Sequence, residues 1–509
     1  MNKYLLTAFI FFCIGVQAQT TFQVKLNGNG SEEAAGVTEL PNGHFVVLSS
    51  KYISGINLDL VITEIDANGA LVKTKSLGTT NGELAKGICK TADGNFIIIG
   101  SYFSTSSDYD LFVAKIDTGF NAIWVKHLGA IGGNDYANSV YEISAGRYAI
   151  TGTTGIGGSA RPSFMIMDDA GNITKEFHLN TNQFASPNYK AVYLNNGTFA
   201  FCNLTNSLCI VDTNGTILKN NNTNFGTFTT DAALGNGSRP TLLAYSDYGG
   251  PQGGSTSFTT FDSIGNTIVA SKKYKITGND FAPLKVFPAN NGSYIIASNA
   301  SSLSNGNYTG VLFKIDSAGL VQWAYKYTPT GSLGSKINDI KRTADGGFIA
   351  VGLEGGVSTT VLITKIDSTG FVQCNTTAIV LTTQSATSIN TTQHSVNPGV
   401  TSILATINPT LTTLSNGITT LCSTVGINEF TNQNEAVVYP NPAHNFISST
   451  LTIKDNVYTT IYSIQGKVML HCYGNVDQNN ISHLPMGLYM FEVKNKNGKI
   501  VQQSKFIKD

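Results

Sequence analysis

The 509-residue chain has few charged residues. Asp, Glu, Lys and Arg make up 13% of it, and the 32 basic residues balance the 32 acidic ones. A protein that binds nucleic acid or an anionic membrane needs a basic excess, so this balance argues against both partners. A low charged fraction with abundant Gly, Asn, Thr and Ser is more typical of extracellular β proteins than of cytosolic enzymes.

Motifs for common catalytic chemistry are also missing. The sequence contains no Cys-x-x-Cys pair, no His-Glu-x-x-His motif and no nucleophile elbow, which argues against zinc, thiol redox and serine-hydrolase chemistry. The Gly-rich stretches 155–158 and 249–254 lack the following helix and Lys-Ser/Thr that phosphate binding requires. We therefore predict no cofactor, no metal site and no catalytic residue.

The chain does contain a sequence motif that recurs every 44–54 residues. In this motif an apolar strand ends in an aspartate and a glycine turn follows. Such recurrence predicts a ring or stack of β units. An Asp just before a Gly turn typically caps the backbone of that turn, so we interpret these residues as structural rather than as calcium ligands. The marking residues are Asp66, Asp117, Asp168, Asp212, Asp262, Asp316 and Asp367.

A second marker, a glycine followed two residues later by an aromatic that opens a β-prone run, keeps the same period. Each period has room for four short strands and shows no helical periodicity; in the second unit we predict strands at 71–77, 86–91, 96–101 and 110–116. Four strands in a radially repeated unit indicate a β-propeller, and seven units indicate seven blades over residues 19–375. A β-solenoid is the alternative, although its coils usually repeat over a shorter period.

The N-terminal sequence is typical of a secretory signal peptide. Lys3 supplies a positive charge, residues 5–16 are apolar, and Val16-Gln17-Ala18 is a small-residue cleavage site, so we predict a signal peptide over residues 1–18. A retained membrane anchor is the alternative. We predict no transmembrane segment in the mature chain.

Export would permit disulfides. Cys202 and Cys209 flank the short hairpin of the fourth unit and lie opposite each other if its turn is centred on residues 205–206. A cross-strand disulfide and two buried thiols both fit this pattern. Cys374 and Cys422 bracket the next segment, and a disulfide between them would close it.

The propeller region is followed by an uncharged segment. Residues 368–428 contain no Asp, Glu, Lys or Arg, and we interpret 376–435 as a Thr/Ser/Asn-rich linker or a small β element. From residue 436 onward, short β-prone runs separated by Gly-containing turns predict a small C-terminal β-sandwich. The predicted fold class is thus all-β throughout.

The last segment carries a set of specific residues: Tyr439, Pro440, Asn441, Pro442, Gly466, Gly487, Tyr489 and Lys505. With them, residues 436–509 resemble the type A C-terminal sorting domain of the type IX secretion system of Bacteroidetes. The resemblance implies export by the Sec route, handling by the type IX machinery as a partner, and an extracellular or outer-membrane surface location. An ordinary β-sandwich binding module is the alternative.

The repeats resemble secreted bacterial propellers that share a set of short sequence motifs. In this chain the motifs are Trp124-Val-Lys126, Asp345-Gly-Gly-Phe348 and Lys314-Ile-Asp-Ser-Ala-Gly319. That resemblance implies a fold and not a function.

Two functions remain open at this level. The leading hypothesis is a secreted, non-catalytic propeller that binds a glycan or a protein through its variable loops. The alternative is an extracellular polysaccharide hydrolase or lyase at the propeller channel, which needs a pair of carboxylates. Candidate acids are Glu32, Glu33, Asp108, Asp110, Asp135, Asp247 and Asp280, and candidate sugar-stacking residues are Tyr102, Tyr109, Tyr136, Tyr245 and Tyr248.

Overall fold

The computed structural model describes most of the chain from residue 19 onward. The predicted signal peptide, residues 1–18, lies outside it. The described residues belong to two compact units, Met1–Ile427 and Asn428–Asp509. The further gaps in the description are 28–29, 55–56, 106–107, 130–132, 157–158, 181–188, 195, 203–206, 223–227, 248–252, 264–266, 330–331, 333, 356–358, 373–374, 386–394, 399–402, 407–409, 415–416, 427–437, 452–456, 464–466, 475–476 and 497–499.

The repeats of the first unit consist of short strands joined by turns, with one 3-10 turn at Asn290–Gly292. In chain order the strands are β1 (Gln19–Asn27), β2 (Glu32–Glu39), β3 (Phe45–Ser54), β4 (Asn57–Ile65), β5 (Leu71–Gly78), β6 (Gly82–Lys90), β7 (Phe96–Thr105), β8 (Asp108–Ile116), β9 (Ala122–Gly129), β10 (Tyr136–Ser144), β11 (Arg147–Ile156), β12 (Ser159–Met167), β13 (Ile173–Asn180), β14 (Lys190–Tyr193), β15 (Thr198–Cys202), β16 (Ser207–Asp212), β17 (Ile217–Asn222), β18 (Phe228–Gly235), β19 (Arg239–Ser246), β20 (Ser255–Phe261), β21 (Ile268–Lys275), β22 (Asn279–Pro288), β23 (Tyr294–Ser302), β24 (Tyr308–Ile315), β25 (Val321–Tyr327), β26 (Ser335–Arg342), β27 (Phe348–Glu354) and β28 (Thr360–Ile366).

These strands form seven antiparallel sheets, numbered here in chain order. Sheets 1 to 6 each take four consecutive strands, from β2–β5 to β22–β25, and sheet 7 combines β26–β28 with the N-terminal strand β1. The strand predicted at 71–77 is therefore the fourth strand of sheet 1, not the first strand of the second unit. A periodic sequence fixes the repeat length but not the strand at which a sheet begins, which explains this error of phase.

The first strand of each sheet contacts the first strand of the next, and β26 of sheet 7 contacts β2 of sheet 1. Hydrogen bonds join these last two strands: the Asn338 amide donates to the Ala34 carbonyl at 2.9 Å, and the Val37 N–H donates to Asp339 at 3.2 Å. The seven sheets thus adjoin one another in a propeller-like, all-β arrangement.

Six of the seven first strands contain a β-bulge at corresponding positions. A bulge inserts one extra residue and re-aims its neighbours. The register shifts lie between Ala34 and Gly36, Ala85 and Gly87, Ala137 and Ser139, Thr229 and Asp231, Pro283 and Lys285, and Ile337 and Asp339.

The recurring aspartates bind the backbone of their own turns. Each of the seven carboxylates accepts a backbone N–H four or five residues further along the chain, at 2.7–3.1 Å. The donors are Ala70, Asn121, Asn172, Thr216, Thr267, Leu320 and Phe371. The turns therefore satisfy polar groups that would otherwise lack a protein partner.

Six of these seven turns also contact the preceding sheet. A side chain from its fourth strand packs against the turn glycine or donates to a carbonyl of the turn. For example, Tyr274 donates to the Gly319 carbonyl at 2.7 Å, and Trp124 donates to the Asp169 carbonyl at 3.0 Å. Comparable contacts are Phe22 with Gly69, Lys73 with Thr118, Phe177 with Gly215 and Tyr327 with Gly370.

The uncharged segment after the repeats does not form a separate element. Its short strands pair one by one with the outer strands of sheets 6, 5, 3, 2, 1 and 7, in that order, which is largely the reverse of chain order. We call these strands the belt. They are β29 (Thr376–Ala378), β30 (Thr382–Ser385), β31 (Ser395–Pro398), β32 (Ile403–Thr406), β33 (Thr410–Thr413) and β34 (Gly417–Gly426).

The belt explains the composition of its segment. The outer edge of each sheet offers unpaired backbone N–H and C=O groups, and an added strand satisfies them. Short Thr-rich strands suit this edge position, and they need no charge of their own. In the structure, the strands between 376 and 426 belong to the repeat sheets rather than to a linker or a separate small β element, and the boundary between the two units follows Ile427.

The hairpin of the fourth unit distinguishes between the two interpretations of Cys202 and Cys209. Cys209 lies directly opposite Phe201, so Cys202 occupies the next position along β15 and points to the other face of the sheet. Both residues are buried, free thiols, and burial raises the pKa of each to about 12. The Cys202–Cys209 disulfide is therefore not formed. Cys422 is disulfide-bonded, whereas its predicted partner Cys374 lies outside the described residues.

The C-terminal unit contains two sheets, with strand orders β35-β36-β39 and β38-β37-β40-β41. One hydrophobic cluster includes Ile447 of the first sheet and Phe491 and Phe506 of the second. The strands are β35 (Val438–Tyr439), β36 (Phe446–Ser449), β37 (Val457–Ser463), β38 (Val468–Tyr473), β39 (Asn479–Asn480), β40 (Gly487–Asn495) and β41 (Ile500–Lys508).

Within the part of the chain that the structure describes, no helix has the length and apolar character to cross a membrane.

Candidate functional site

A cavity of about 570 Å³ lies among the first strands of sheets 3 to 7. A cavity of this size is in the range of small-molecule sites. The bulged residues of four first strands line it, namely Asn138, Thr230, Leu284 and Asn338. The repeated bulge therefore places residues from four different units at one common site.

Asparagines fix the wall of this cavity. Asn299 binds the backbone of Ile337 through both ends of its amide: it accepts the N–H at 2.9 Å and donates to the carbonyl at 2.7 Å. Asn138 donates to the Tyr189 carbonyl at 2.8 Å, joining sheets 3 and 4. These amides hold neighbouring strands in register, so the cavity is built on rigid elements.

Lys190 and Lys336 also line the cavity. Among the described residues, no carboxylate lies within 4.0 Å of either ammonium group. The Lys336 ammonium lies 5.9 Å from the centroid of the Tyr308 ring. Two cations at the wall are thus available to a ligand.

Lys86 adds a third cation near Lys336. Burial lowers the pKa of Lys86, the Lys336 charge lowers it further, and the Glu33 charge opposes both effects. Glu33 itself accepts a hydrogen bond from the Asn338 amide at 2.7 Å. The positive groups therefore repel one another across this region and would gain from an anionic ligand.

In a second group of charged residues on the first strands, lysines and aspartates lie close enough to neutralise one another. Lys285 donates to Asp339 at 2.6 Å, and Asp231 accepts the Val286 N–H at 2.9 Å. Burial would raise the pKa of Asp339, but Lys285 and Lys341 together lower it below its usual value. For Asp231 burial prevails and raises the pKa. These groups join strands, whereas the lysines of the cavity wall do not.

The acids predicted as hydrolytic candidates are dispersed, and none of those described lines the cavity. Each has its own local partner. Glu32 accepts a hydrogen bond from Ser49, Glu33 from Asn338, Asp135 from the Gly155 N–H, and Asp280 from Tyr245; Asp110 contacts His127, and Asp247 contacts Lys273. The Asp108 side chain lies outside the described residues.

Of the tyrosines predicted to stack on sugars, Tyr245 lines the cavity. Its hydroxyl donates to Asp280, which holds the ring in place. Tyr102 packs on His127 with centroids 4.9 Å apart, and Tyr109 packs on Tyr136 at 5.6 Å. Tyr248 lies outside the described residues. Phe228 is a second aromatic of the cavity, and sequence reasoning missed it.

Sequence reasoning also missed Lys190 and Lys336. Both lie on first strands, at positions that no sequence motif marks. The described part of the chain holds no group of three or more His, Cys, Asp or Glu residues arranged to bind a metal ion.

The residues quoted for the sorting resemblance connect the opening of the C-terminal unit to its last strand. Asn441 accepts the Ile507 N–H at 2.9 Å, and its amide lies 3.4 Å from the Lys505 carbonyl. Tyr489 is buried, donates to the Pro485 carbonyl at 2.8 Å and stacks on Phe506. Both Tyr439–Pro440 and Asn441–Pro442 are cis peptide bonds, Gly487 opens β40, the Lys505 side chain is exposed, and Gly466 lies outside the described residues.

Solved structures resemble the chain only distantly. A protein of unknown function from Bacteroides caccae is 15% identical, with a TM-score of 0.36 over 60% of this chain and 94% of that one. PorZ, a surface component of the type IX secretion system of Porphyromonas gingivalis, is 10% identical, with a TM-score of 0.30 over 94% and 81%. The β-propeller domain of the Trilobed protease from Pyrococcus furiosus is 11% identical, with a TM-score of 0.38 over 66% and 94%. Similarity at this level does not indicate a function for the chain.

No curated protein sequence matches the chain. The family model described as the secretion system C-terminal sorting domain matches residues 437–509. This match agrees with the predicted boundary at 436 and with the compact unit that begins at Asn428. Residues 437–509 are therefore a type IX secretion C-terminal sorting domain, which marks the protein for export to the cell surface or the extracellular space.

Proposed function

We propose that the protein is a secreted, non-catalytic binding protein whose ligand, a glycan or a protein, occupies the cavity among the first strands. The seven sheets are the blades of a closed β-propeller, and the sorting domain is a small β-sandwich. The contacts around the series of first strands, including β26 with β2, support the closed ring.

The observation that carries the binding proposal is the composition of the cavity wall. Its polar groups are lysine, asparagine, threonine and tyrosine, and its apolar groups include Phe228 and Pro283. Mostly apolar walls with a few fixed polar groups are typical of ligand sites. Rigid sheets hold the lining residues, so little ordering entropy is lost when a ligand binds.

The dispersed acids favour binding over polysaccharide cleavage. Hydrolysis of a glycosidic bond ordinarily requires two carboxylates about 5–10 Å apart on either side of the scissile bond. The candidate acids with described side chains instead have separate structural partners, and none of them lines the cavity.

A glycan array together with a pull-down from culture medium, both with residues 19–509, would test this proposal. The matched variants are Ala282→Trp, which fills part of the cavity, and Gln322→Trp on the exposed outer strand β25. We expect Ala282→Trp to abolish ligand capture and Gln322→Trp to leave it unchanged. Equal capture by both variants, or release of shortened saccharides by the unaltered protein, would contradict the proposal.

A further inference from the structure

The cavity wall carries polar groups of two kinds. The amides of Asn138, Asn299 and Asn338 are engaged in holding neighbouring strands. The ammonium groups of Lys190 and Lys336 have no carboxylate within 4.0 Å among the described residues. A ligand would therefore find the lysines available and the amides already occupied.

Among the described residues, carboxylates act on Lys86 and Lys190 only at distances longer than that of an ion pair. Lys86 lies within electrostatic range of Lys336, and Glu33 is the carboxylate that acts on Lys86. Asp231 acts electrostatically with Lys190, but it is also under the influence of Lys285 and accepts the Val286 N–H. An ammonium group that is partly removed from water and lacks a close partner favours binding of an anion.

The cavity also has an apolar side. Phe228, Pro283 and the ring of Tyr245 line it together with the lysines. A simple inorganic anion would leave these surfaces unused. A sugar ring has a C–H face that packs on aromatic and proline surfaces, and an acidic sugar adds a carboxylate or sulfate for the lysines.

We propose that the cavity binds an acidic saccharide, with Lys190 and Lys336 contacting its carboxylate or sulfate groups and Phe228 and Tyr245 packing against its ring. This inference rests on the proposed binding function and names the class of its ligand. The anionic group is the chemistry shared by uronic acids and sulfated sugars.

The test is calorimetric titration of residues 19–509 with four probes of matched length: a uronic acid oligosaccharide, a sulfated oligosaccharide, a neutral oligosaccharide and an oligoglutamate peptide. We expect at least one acidic saccharide to bind. Its affinity falls as salt is added, because the contacts are ionic. The first two probes distinguish carboxylate from sulfate.

Variants of Lys190 and Lys336 test whether the ligand binds at these two lysines. Lys190→Gln and Lys336→Gln should each weaken binding about tenfold or more, since each removes a charge-assisted hydrogen bond. Lys336→Arg should retain most of the affinity. Lys326→Gln on the outer strand β25 is the matched control and should have no effect. Thermal unfolding of each variant shows whether it is folded.

The outcomes separate this inference from the proposed function. If the neutral saccharide binds as tightly as the acidic ones, or if the lysine variants bind normally, the acidic class is wrong although a binding function stands. If oligoglutamate is the only probe that binds, the assignment of the ligand as a saccharide is wrong. If none of the four probes binds at millimolar concentration, the inference fails, whereas the pull-down with Ala282→Trp still tests binding itself.

Discussion

The Asp339 carboxylate accepts the Val37 N–H at 3.2 Å and the Lys285 ammonium at 2.6 Å. These three residues lie on β26, β2 and β22, the first strands of sheets 7, 1 and 6. One side chain thus joins three neighbouring sheets, including the two at opposite ends of the repeat series. Asp231 makes the corresponding contact with Val286 between sheets 5 and 6.

Replacing Asp339 by leucine should destabilise the first unit. Lys285 would keep its charge without a carboxylate, and Val37 would lose its acceptor, so we expect the free energy of unfolding to fall by about 1–3 kcal/mol in denaturant titration. The double variant Lys285→Met, Asp339→Leu should recover a substantial part of the loss. Losses that simply add in the double variant would show that the two residues are not coupled.

The contact between Trp323 and Gly370 predicts a difference between two glycines with similar backbone angles. Gly370 has φ +84°, and a Cβ there would lie 2.4 Å from the Trp323 ring; Gly94 has φ +88° and nothing within 4 Å. Both alanine variants carry a backbone penalty of about 1–2 kcal/mol. We expect Gly370→Ala to lose about 1–3 kcal/mol more in unfolding experiments, because the ring must also move. Equal losses would argue against the close contact between the sheets.

Glu83 should make the stability of the first unit depend on pH. It is buried, and burial raises its pKa from 4.5 to about 7, although two hydrogen bonds from Thr79 oppose the shift. The folded pKa lies above the unfolded one, so this contribution is fully present below pH 4.5 and is lost as the pH rises through 7. The loss is on the order of 3 kcal/mol, since each pKa unit corresponds to about 1.4 kcal/mol.

Unfolding of the protein and of the Glu83→Gln variant between pH 4 and 8 would measure this effect. The difference in free energy of unfolding between the two should change across the pH range, in favour of the variant at high pH. A difference that does not change with pH would mean that Glu83 ionises normally in the folded protein.

Removal of the belt should expose the outer edges of six sheets. We expect residues 19–375 to aggregate or to unfold at lower temperature than residues 19–427, because unpaired edge strands associate with one another. The longer fragment corresponds to the compact first unit without residues 1–18, and it also lacks the C-terminal unit, so it controls for loss of that unit. Light scattering and thermal unfolding would compare the two, and equal behaviour would show that the belt is dispensable.

Asn441 should support sorting through its contact with Ile507. Asn441→Ala removes the acceptor of the Ile507 N–H and should cost about 1–2 kcal/mol of stability in the sorting domain. We expect less protein at the cell surface or in the medium by quantitative immunoblot. Asn480→Ala is the control, since the exposed Asn480 side chain accepts hydrogen bonds from the nearby Ser482 and, among the described residues, makes none with the last strand. Normal export of Asn441→Ala would show that this contact is not required.

The sequence predicted the features that are local. The Asp-Gly turns, the strands beside them and the boundary of the sorting domain all follow from short motifs. The strand at 71–77 was found but assigned to the wrong sheet, because its partners depend on hairpins on both sides. The sequence leaves a disulfide and two buried thiols open for Cys202 and Cys209, and the structure shows the thiols, because a shift of one residue in register places the two side chains on opposite faces.

The belt and the cavity could not be predicted, because both depend on distant partners. Residues such as Thr382 and Ile403 are β-prone, but the sheet edges with which they pair lie far away in the sequence, so the sequence does not identify their partners. Lys190 and Lys336 lie 146 positions apart in the sequence and line one cavity only when the first strands adjoin. Hydrolysis of a glycosidic bond needs carboxylates, whereas the charged groups that line the cavity are lysines.

The pairing of β1 with β34 has a consequence for how the first unit could be re-engineered. Gln19 lies opposite Gly426, so the two ends of this unit are adjacent in one sheet. A short peptide could join them, and new ends could be opened at a loop between two other sheets without removing any strand. We therefore expect the unit to tolerate circular permutation, with the first strand of the chain set by gene order rather than by the pairing of the sheets.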